Sequence, residues 1–311
     1  MAVENNLSTL IKQQAHKLGF FACGFAKAQP VEPSVAKAYR QWVSSGSHAT
    51  MGYMADNIEK RLDPRLLVEG VRSIVCLAIN YAPSQRIDDD QYQIAAYAYG
   101  KDYHDVMKQR LHQLALACGL KTYRAFCDTA PVLERYWAVK AGLGWTGRHH
   151  QLIIPNAGTM FYLGELFIPE VLDYDSPIAP RCGSCHACID ACPTNALSGD
   201  STTVDTQLST FNSEKCLSYQ TIENHGELSP DAKASMGNYI YGCDRCQTAC
   251  PWNRFATPNE EPLLQPSEAL LQMTKEDWDN LTPEQYRSLF KGSAVKRAKY
   301  EGLMRNIHSK E

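Results

Sequence analysis

Eight of the chain's twelve cysteines fall in one window: Cys182-x2-Cys185-x2-Cys188-x3-Cys192-Pro193, then Cys216, then Cys243-x2-Cys246-x3-Cys250-Pro251. In the bacterial ferredoxin run, three thiolates hold one iron–sulfur cube and the fourth, just ahead of proline, ligates its neighbour. The second run lacks its first cysteine, because Ile240 stands three residues before Cys243, and Cys216 is the substitute. The spacing therefore assigns Cys182, Cys185, Cys188 and Cys250 to one [4Fe–4S] cluster, and Cys192, Cys216, Cys243 and Cys246 to the other. Zinc explains less of this pattern, since a ribbon needs two CxxC pairs and has no use for a third cysteine followed by proline. Disulfides suit small secreted domains, whereas this chain has 311 residues and begins with no apolar export segment. Two clusters imply electron transfer. Cys23, Cys76, Cys118 and Cys127 lie outside the window in apolar stretches and read as small hydrophobes.

Composition describes an ordinary globular protein, with 44% hydrophobic and 21% charged residues. The apolar runs are too short to cross a bilayer, so a cytoplasmic protein is expected. The net charge of −3 advertises no nucleic-acid partner, and any such partner must use a local patch. One candidate is the tail, where Lys291, Lys296, Arg297, Lys299, Arg305 and Lys310 face only Glu301 and Glu311. These cations suit phosphates, and a solvated charged face is the competing reading.

The elements that must position the chemistry follow from periodicity. Val3 to Leu18 repeats at helical spacing and stops at Gly19; Phe20 to Phe25 reads as a strand and Ser34 to Val43 as a helix. Ile74 to Ile79 is a continuous apolar run, expected of a strand buried on both faces. Asp102 to Cys118 reads as a helix, Thr122 to Cys127 as a strand, and Val132 to Ala141 as a helix closing at Gly142. Strands are expected near Leu152–Ile154 and Phe161–Phe167. This alternation predicts a layered α/β domain over residues 1–176 with helices covering its sheet. Closely spaced Cys, Gly and Pro then mark a ferredoxin-like double-cluster domain over residues 177–258, held together by its metal. Residues 259–311 form a helical C-terminal segment, with a capping box at Thr282-Pro-Glu-Gln285. The densest signal in the first domain is Asp128-Thr-Ala-Pro-Val-Leu-Glu-Arg135, then Gly142-Leu-Gly-Trp-Thr-Gly147, which lacks dinucleotide-binding glycine spacing. Ligands of open α/β sheets bind beyond the carboxyl ends of strands, which makes Asp128 a candidate site residue. Capping of the next helix is the plainer alternative.

Taken together, Tyr97-Ala-Tyr-Gly-Lys-Asp-Tyr-His104, the Asp128 and Gly142 segments, Leu163-Gly-Glu-Leu166, Ile240-Tyr-Gly-Cys-Asp-Arg-Cys-Gln247 and Cys250-Pro-Trp-Asn253 resemble the epoxyqueuosine reductases, from about Glu59 to Ile307. The resemblance implies cobalamin lying between the two domains, two [4Fe–4S] clusters, and reduction of epoxyqueuosine to queuosine at the wobble position of tRNA. The partners it implies are a tRNA with a GUN anticodon and an external low-potential donor of flavodoxin or ferredoxin type. The chain is expected to act as a monomer. Asp128 matches the family's proton donor, and its carboxyl must be protonated with substrate bound, which calls for burial or a corrin-lined apolar wall. Carried over by motif position, Arg61, Tyr97, Leu163, Thr221 and Asp244 are further cofactor contacts. The family binds cobalamin with no protein histidine on cobalt, so His104, His149 and His150 are read as structural. Two rivals stand beside this: a corrinoid reductive dehalogenase, and a ferredoxin-like electron-transfer module without enzymatic activity. Relative to longer family members the chain ends just after Ile307 and has a longer link between Cys192 and Cys216.

Overall fold

The structure, a computed structural model, describes residues 6–198 and 211–309. Val3, Lys310, Glu311 and the middle of the Cys192–Cys216 link lie outside the described residues. Helix α1 (Asn6–Lys17) turns Ile11 and Ala15 inward and gives way to Gly19, whose φ of +78° suits a residue without a Cβ. Strand β1 (Ala22–Lys27) follows, then α2 (Pro33–Ser44), started by a first-turn proline, and the short α3 (Ile58–Leu62) and α4 (Pro64–Leu67). Next come β2 (Ser73–Asn80), β3 (Gln93–Ile94), α5 (Tyr103–Ala117), β4 (Arg124–Phe126) and α6 (Glu134–Lys140). A small hairpin, β5 (Trp145–Thr146) with β6 (Leu152–Ile153), precedes β7 (Phe161–Ile168).

Four strands form the main sheet in the order β1-β2-β7-β4, and every neighbouring pair is antiparallel. The expectation of a helix-covered sheet holds. The open-sheet rule used to nominate Asp128 does not carry over, because it belongs to parallel sheets. Lys27 at the end of β1 pairs with Ser73 at the start of β2, so the chain re-enters the sheet at the end it left. The helices between them lie on such an excursion and are not crossovers. The strand expected at Leu152 exists, but in the separate hairpin.

Strand β2 shows why its run is continuously apolar. Val75, Leu77 and Ile79 face the α1 and α5 layer with Ile11, Leu111 and Leu114, while Ile74, Cys76 and Ala78 face the α2 and α6 layer with Tyr39, Trp42 and Trp137. Each face is a core, so period-two alternation disappears from the sequence.

The C-terminal half adds α7 (Ala187–Asp190), α8 (Leu217–Ile222), α9 (Pro230–Ser235), β8 (Tyr239–Tyr241) and α10 (Arg245–Thr248). Helices α11 (Glu268–Leu271), α12 (Lys275–Asp279), α13 (Pro283–Leu289) and α14 (Lys299–His308) complete it. The expected capping box is present at Thr282 and Gln285, and a second one at Thr274 and Asp277 starts α12. Strand β8 pairs in parallel with β3, and a core around Trp278, Phe290 and Leu303 takes in Ile94, Ile222 and Ile240.

Helix α6 approaches β1 so closely that a Cβ on Gly24 would stand 2.0 Å from the Ala141 carbonyl oxygen. Gly24→Ala is therefore expected to destabilise the protein by about 1–3 kcal/mol through backbone displacement. The measurement is the urea unfolding midpoint, and an unchanged midpoint contradicts this packing.

Candidate active site

Asp128 stands two residues beyond β4, after the fully buried Cys127. Two successive three-residue turns lead the chain out of the sheet: the Thr129 amide donates to the Cys127 carbonyl (2.7 Å) and the Val132 amide to the Ala130 carbonyl (2.8 Å). Asp128 adopts φ +54°, a conformation aspartate tolerates better than most residues, and its side chain is 61% exposed. The first turn of α5 supplies its partners. The Tyr103 hydroxyl donates to Asp128 Oδ2 at 2.5 Å, and His104 Nε2 lies 3.7 Å from the same oxygen. Asp102, the N-cap of α5, accepts the His104 amide and also stands 2.6 Å from His104 Nδ1. The Tyr103 ring lies parallel to Tyr162 at 4.6 Å and meets the edge of Tyr97 at 6.1 Å, making a tyrosine floor beneath the carboxylate.

The electrostatics follow from these contacts. Partial desolvation opposes charge on Asp128, but the nearby His104 ring and the Tyr103 hydrogen bond outweigh that and hold the carboxyl below its usual range. Burial likewise opposes charge on His104, yet Asp102 and Asp128 raise it to about 9. At neutral pH the pair is a carboxylate beside an imidazolium. The proton that the sequence placed on Asp128 therefore rests on His104 in the ligand-free protein. Sequence reasoning set His104 aside as a cobalt ligand and read it as structural; the signal for its place beside Asp128 was the Asp-Tyr-His order at a helix start, where an N-cap aspartate can hold a histidine two residues on.

Three of the carried-over residues meet on one seam between the sheet domain and the cysteine-rich half. Asp244, 3% exposed, accepts the Ala96 amide at 2.7 Å. The Ala95 amide donates to the Tyr241 carbonyl at 2.8 Å, and the Tyr97 and Tyr241 hydroxyls are 3.2 Å apart. Thr221 Oγ1 donates to the Leu217 carbonyl (2.7 Å) and accepts the Gly242 amide (2.9 Å). Gly242 must be glycine, with φ +69° and a Cβ that would lie 2.5 Å from Ala95 Cβ. Arg61 lies apart: it is buried, donates to the Tyr53 carbonyl at 3.0 Å, and leaves Nε sealed with no hydrogen-bond partner. Leu163 belongs to the apolar core with Phe126 and Phe167.

The cysteines of each expected quartet bear on one another. All twelve are free. Cys188 faces Cys250, Cys182 and Cys185, while Cys216 faces Cys192, Cys243 and Cys246. Cys246 on α10 also faces Cys188 on α7, which brings the two quartets side by side. Burial pushes the Cys188 thiol up to about 11 and Cys243 to about 12, so buried thiolates here call for the positive charge of iron. Among the described residues, no group of three His, Cys, Asp or Glu side chains is closed up to hold a single metal ion.

The basic tail is partly spent inside the protein. Arg297 pairs with Glu223 (2.7 Å), and Arg305 donates to the carbonyls of Asn224 (2.6 Å) and Gln220 (3.0 Å). Lys291, Lys296 and Lys299 stay exposed.

His104 yields a prediction with a definite sign. Its pKa is raised by folding, so its stabilisation is complete below the ordinary value of about 6.5 and is lost as pH rises through about 9. The stability gap between wild type and His104→Gln, from urea unfolding across pH, is expected to shrink over that window. A pH-independent gap contradicts the imidazolium.

The family model described as "Epoxyqueuosine reductase QueG, DUF1730" matches residues 61–129, and the "4Fe-4S double cluster binding domain" matches residues 181–253. Epoxyqueuosine reductase from Cellulophaga algicola is 42% identical over 311 residues, covering 99% of both chains. That from Cyclobacterium marinum is 44% identical over 307 residues, covering 96% of this chain and 95% of its own. Among solved structures, an epoxyqueuosine reductase with an epoxyqueuosine-modified tRNA-Tyr stem loop superposes with a TM-score of 0.84 at 26% identity, over 98% of this chain and 81% of that one. The Bacillus subtilis enzyme, solved with its aspartate catalytic loop swung out of the active site, gives 0.81 at 27% identity, over 98% and 82%. Similar to curated relatives along nearly its whole length, the chain belongs to the epoxyqueuosine reductases and carries their double-cluster domain.

Proposed function

We propose that this oxidoreductase reduces epoxyqueuosine to queuosine at the wobble position of a GUN-anticodon tRNA, with cobalamin bound between residues 1–176 and the cluster domain at 177–258. The observation that carries this is the continuous path from the inner cysteine quartet to Asp128. It runs through Asp244, Ala96 and Tyr97 to Tyr103, whose hydroxyl donates to the carboxylate. The 259–311 segment buttresses that seam, since the Tyr241 hydroxyl donates to the Ala294 carbonyl at 2.8 Å.

The residues present fit a corrinoid. Arg61 offers a buried Nε with no partner, and Tyr97 and Asp244 line the seam. Tyr97 and Asp244 on the seam would hold the group, with Arg61 reaching it from outside the seam; Thr221 fixes Gly242, and Leu163 stays in the apolar core. When bound, cobalamin supplies a strongly reducing metal for the epoxide carbon. Cys182, Cys185, Cys188 and Cys250 would hold an outer cluster and Cys192, Cys216, Cys243 and Cys246 an inner one beside the seam, and the two would supply electrons one at a time. Conversion of the epoxide to the alkene breaks both C–O bonds, consumes two electrons and two protons, and releases water. Asp128 accepts a proton from His104 Nε2 and relays it to the departing oxygen. The Asp128 loop moves between inward and outward positions, as in the B. subtilis relative.

The target base leaves the anticodon stack to reach the site, as RNA loops allow. Lys291, Lys296 and Lys299 supply phosphate contacts. A flavodoxin- or ferredoxin-type donor reduces the outer cluster. No described helix is long and apolar enough to cross a membrane, and a cytoplasmic monomer meets its tRNA there. Membership in the reductase family leaves the dehalogenase and electron-transfer-only readings without support.

Anaerobic protein is expected to contain about eight irons per chain. It should convert an epoxyqueuosine stem loop only when corrinoid and reductant are supplied. Asp128→Asn is expected to lower turnover about 10²–10⁴-fold with iron content unchanged. Full turnover by that variant overturns the acid assignment.

A further inference from the structure

Behind the Asp128 loop lies a second acid that the reaction above does not use. Glu165, in the middle of β7, pairs with Cys76 of β2 and Phe126 of β4 and is completely buried. Both its carboxyl oxygens are buried with no hydrogen-bond partner, and the ionisable side chain bearing most strongly on them is Glu134. Glu134 opens α6, and its Oε1 accepts the backbone amide of Asp128. A chain of three acids thus runs from the sealed centre of the sheet to the exposed catalytic carboxylate.

The physical chemistry of that chain is asymmetric. A carboxylate cannot stay charged where Glu165 sits, and burial together with Glu134 and Asp128 pushes Glu165 well above the usual range. The neutral acid then has a proton to donate, and Glu134 is the acceptor it faces. Glu134 is itself pushed up to about 8, first by burial and then by the charge of Asp128. The other groups bearing on the pair are Arg135 and His104 toward Glu134, and the Cys76 and Cys127 thiols toward Glu165. Asp128 meanwhile holds a left-handed φ of +54°, uncommon for residues with a side chain though tolerated by aspartate.

We propose that Glu134 and Glu165 are a latch for the catalytic loop: Glu165 donates a hydrogen bond to one oxygen of Glu134, so that the other stays aimed at the Asp128 amide and holds the loop inward. Both are positioning residues, touching neither substrate nor cofactor. The latch rests on reading Asp128 as the catalytic acid only for its consequence in turnover; its effect on the loop is independent of that reading. Gln at either position keeps the needed oxygen or donor, whereas Ala at 134 and Met at 165 remove it.

The test is amide hydrogen exchange of cluster-loaded, substrate-free protein, read on the peptide spanning residues 127–130. Glu134→Ala and Glu165→Met are expected to speed exchange about tenfold, the worth of one hydrogen bond to an acidic acceptor. Glu134→Gln and Glu165→Gln are expected to remain within about twofold of wild type. With corrinoid and reductant supplied, kcat falls in step with exchange while KM for the stem loop is unchanged. The proposal is overturned if Glu134→Gln exchanges as fast as Glu134→Ala, or if Glu165→Met protects the loop as wild type does. Iron content and unfolding midpoint establish that each variant is folded, and Glu134→Ala, at the start of a short helix, carries the test if Glu165→Met does not fold. Exchange needs no substrate and so reports the latch alone, while turnover of Asp128→Asn reports the acid alone.

Discussion

The buried Asp244 carboxyl and the Ala96 amide it accepts are the contact on which the arrangement of the site depends. Asp244 stands between two cysteines of the inner quartet, while Ala96 begins the turn that carries Tyr97. Burial raises the Asp244 carboxyl and the Ala96 amide only partly offsets this, so the contact cannot be exchanged for water without penalty. It fixes the inner quartet relative to Tyr97, and Tyr97 in turn meets Tyr103, which holds Asp128. Electron delivery and proton delivery are thereby referred to one frame.

The antiparallel sheet gives that frame its rigidity. Its central strands are buried on both faces between two helix layers, so the loops leaving β4 and β7 start from immobile ends. Asp128 is the exposed end of such a loop, and Glu165 is its buried counterpart on the neighbouring strand. The cysteine-rich half is built differently, from short helices that present thiols and depend on metal for cohesion. Joining the two through one buried carboxyl, two facing tyrosine hydroxyls and a glycine too crowded for any side chain keeps a metal-held module in register with a core-held one.

Much of this was legible in the sequence, though unevenly. Cysteine spacing pointed to the double-cluster domain that the family match over residues 181–253 shows, because cluster ligation imposes a local pattern that tertiary context does not blur. Helices such as α1 and α5 announced themselves by periodicity, and α13 by its capping box. Strand direction was hidden, since helices lie between strands in excursions and in crossovers alike. Asp128 was found by a rule for parallel sheets that does not apply here, and its motif resemblance was the sounder guide. Glu165 was invisible because Leu163-Gly-Glu-Leu166 reads as apolar strand with one outward charge, and only pairing on both sides shows that the charge has nowhere to go. The tail cations were visible as charges, but the carbonyls claimed by Arg305 and the carboxylate claimed by Arg297 come from distant segments.

Ala96→Pro isolates the central contact without touching a cysteine loop. Ala96 is the first residue of its turn, and Ala95 has φ −58° and ψ 135°, as a residue before proline requires. The change removes the N–H that Asp244 accepts and puts the proline Cδ in its place, so the carboxylate must also draw back. Single-turnover reduction of an epoxyqueuosine stem loop by pre-reduced, corrinoid-loaded protein is the measurement. We expect a rate about tenfold or more below wild type at full iron content, the cost of one buried carboxyl left without its donor. A wild-type rate at full iron content would contradict the claim that this seam aligns the clusters with the site.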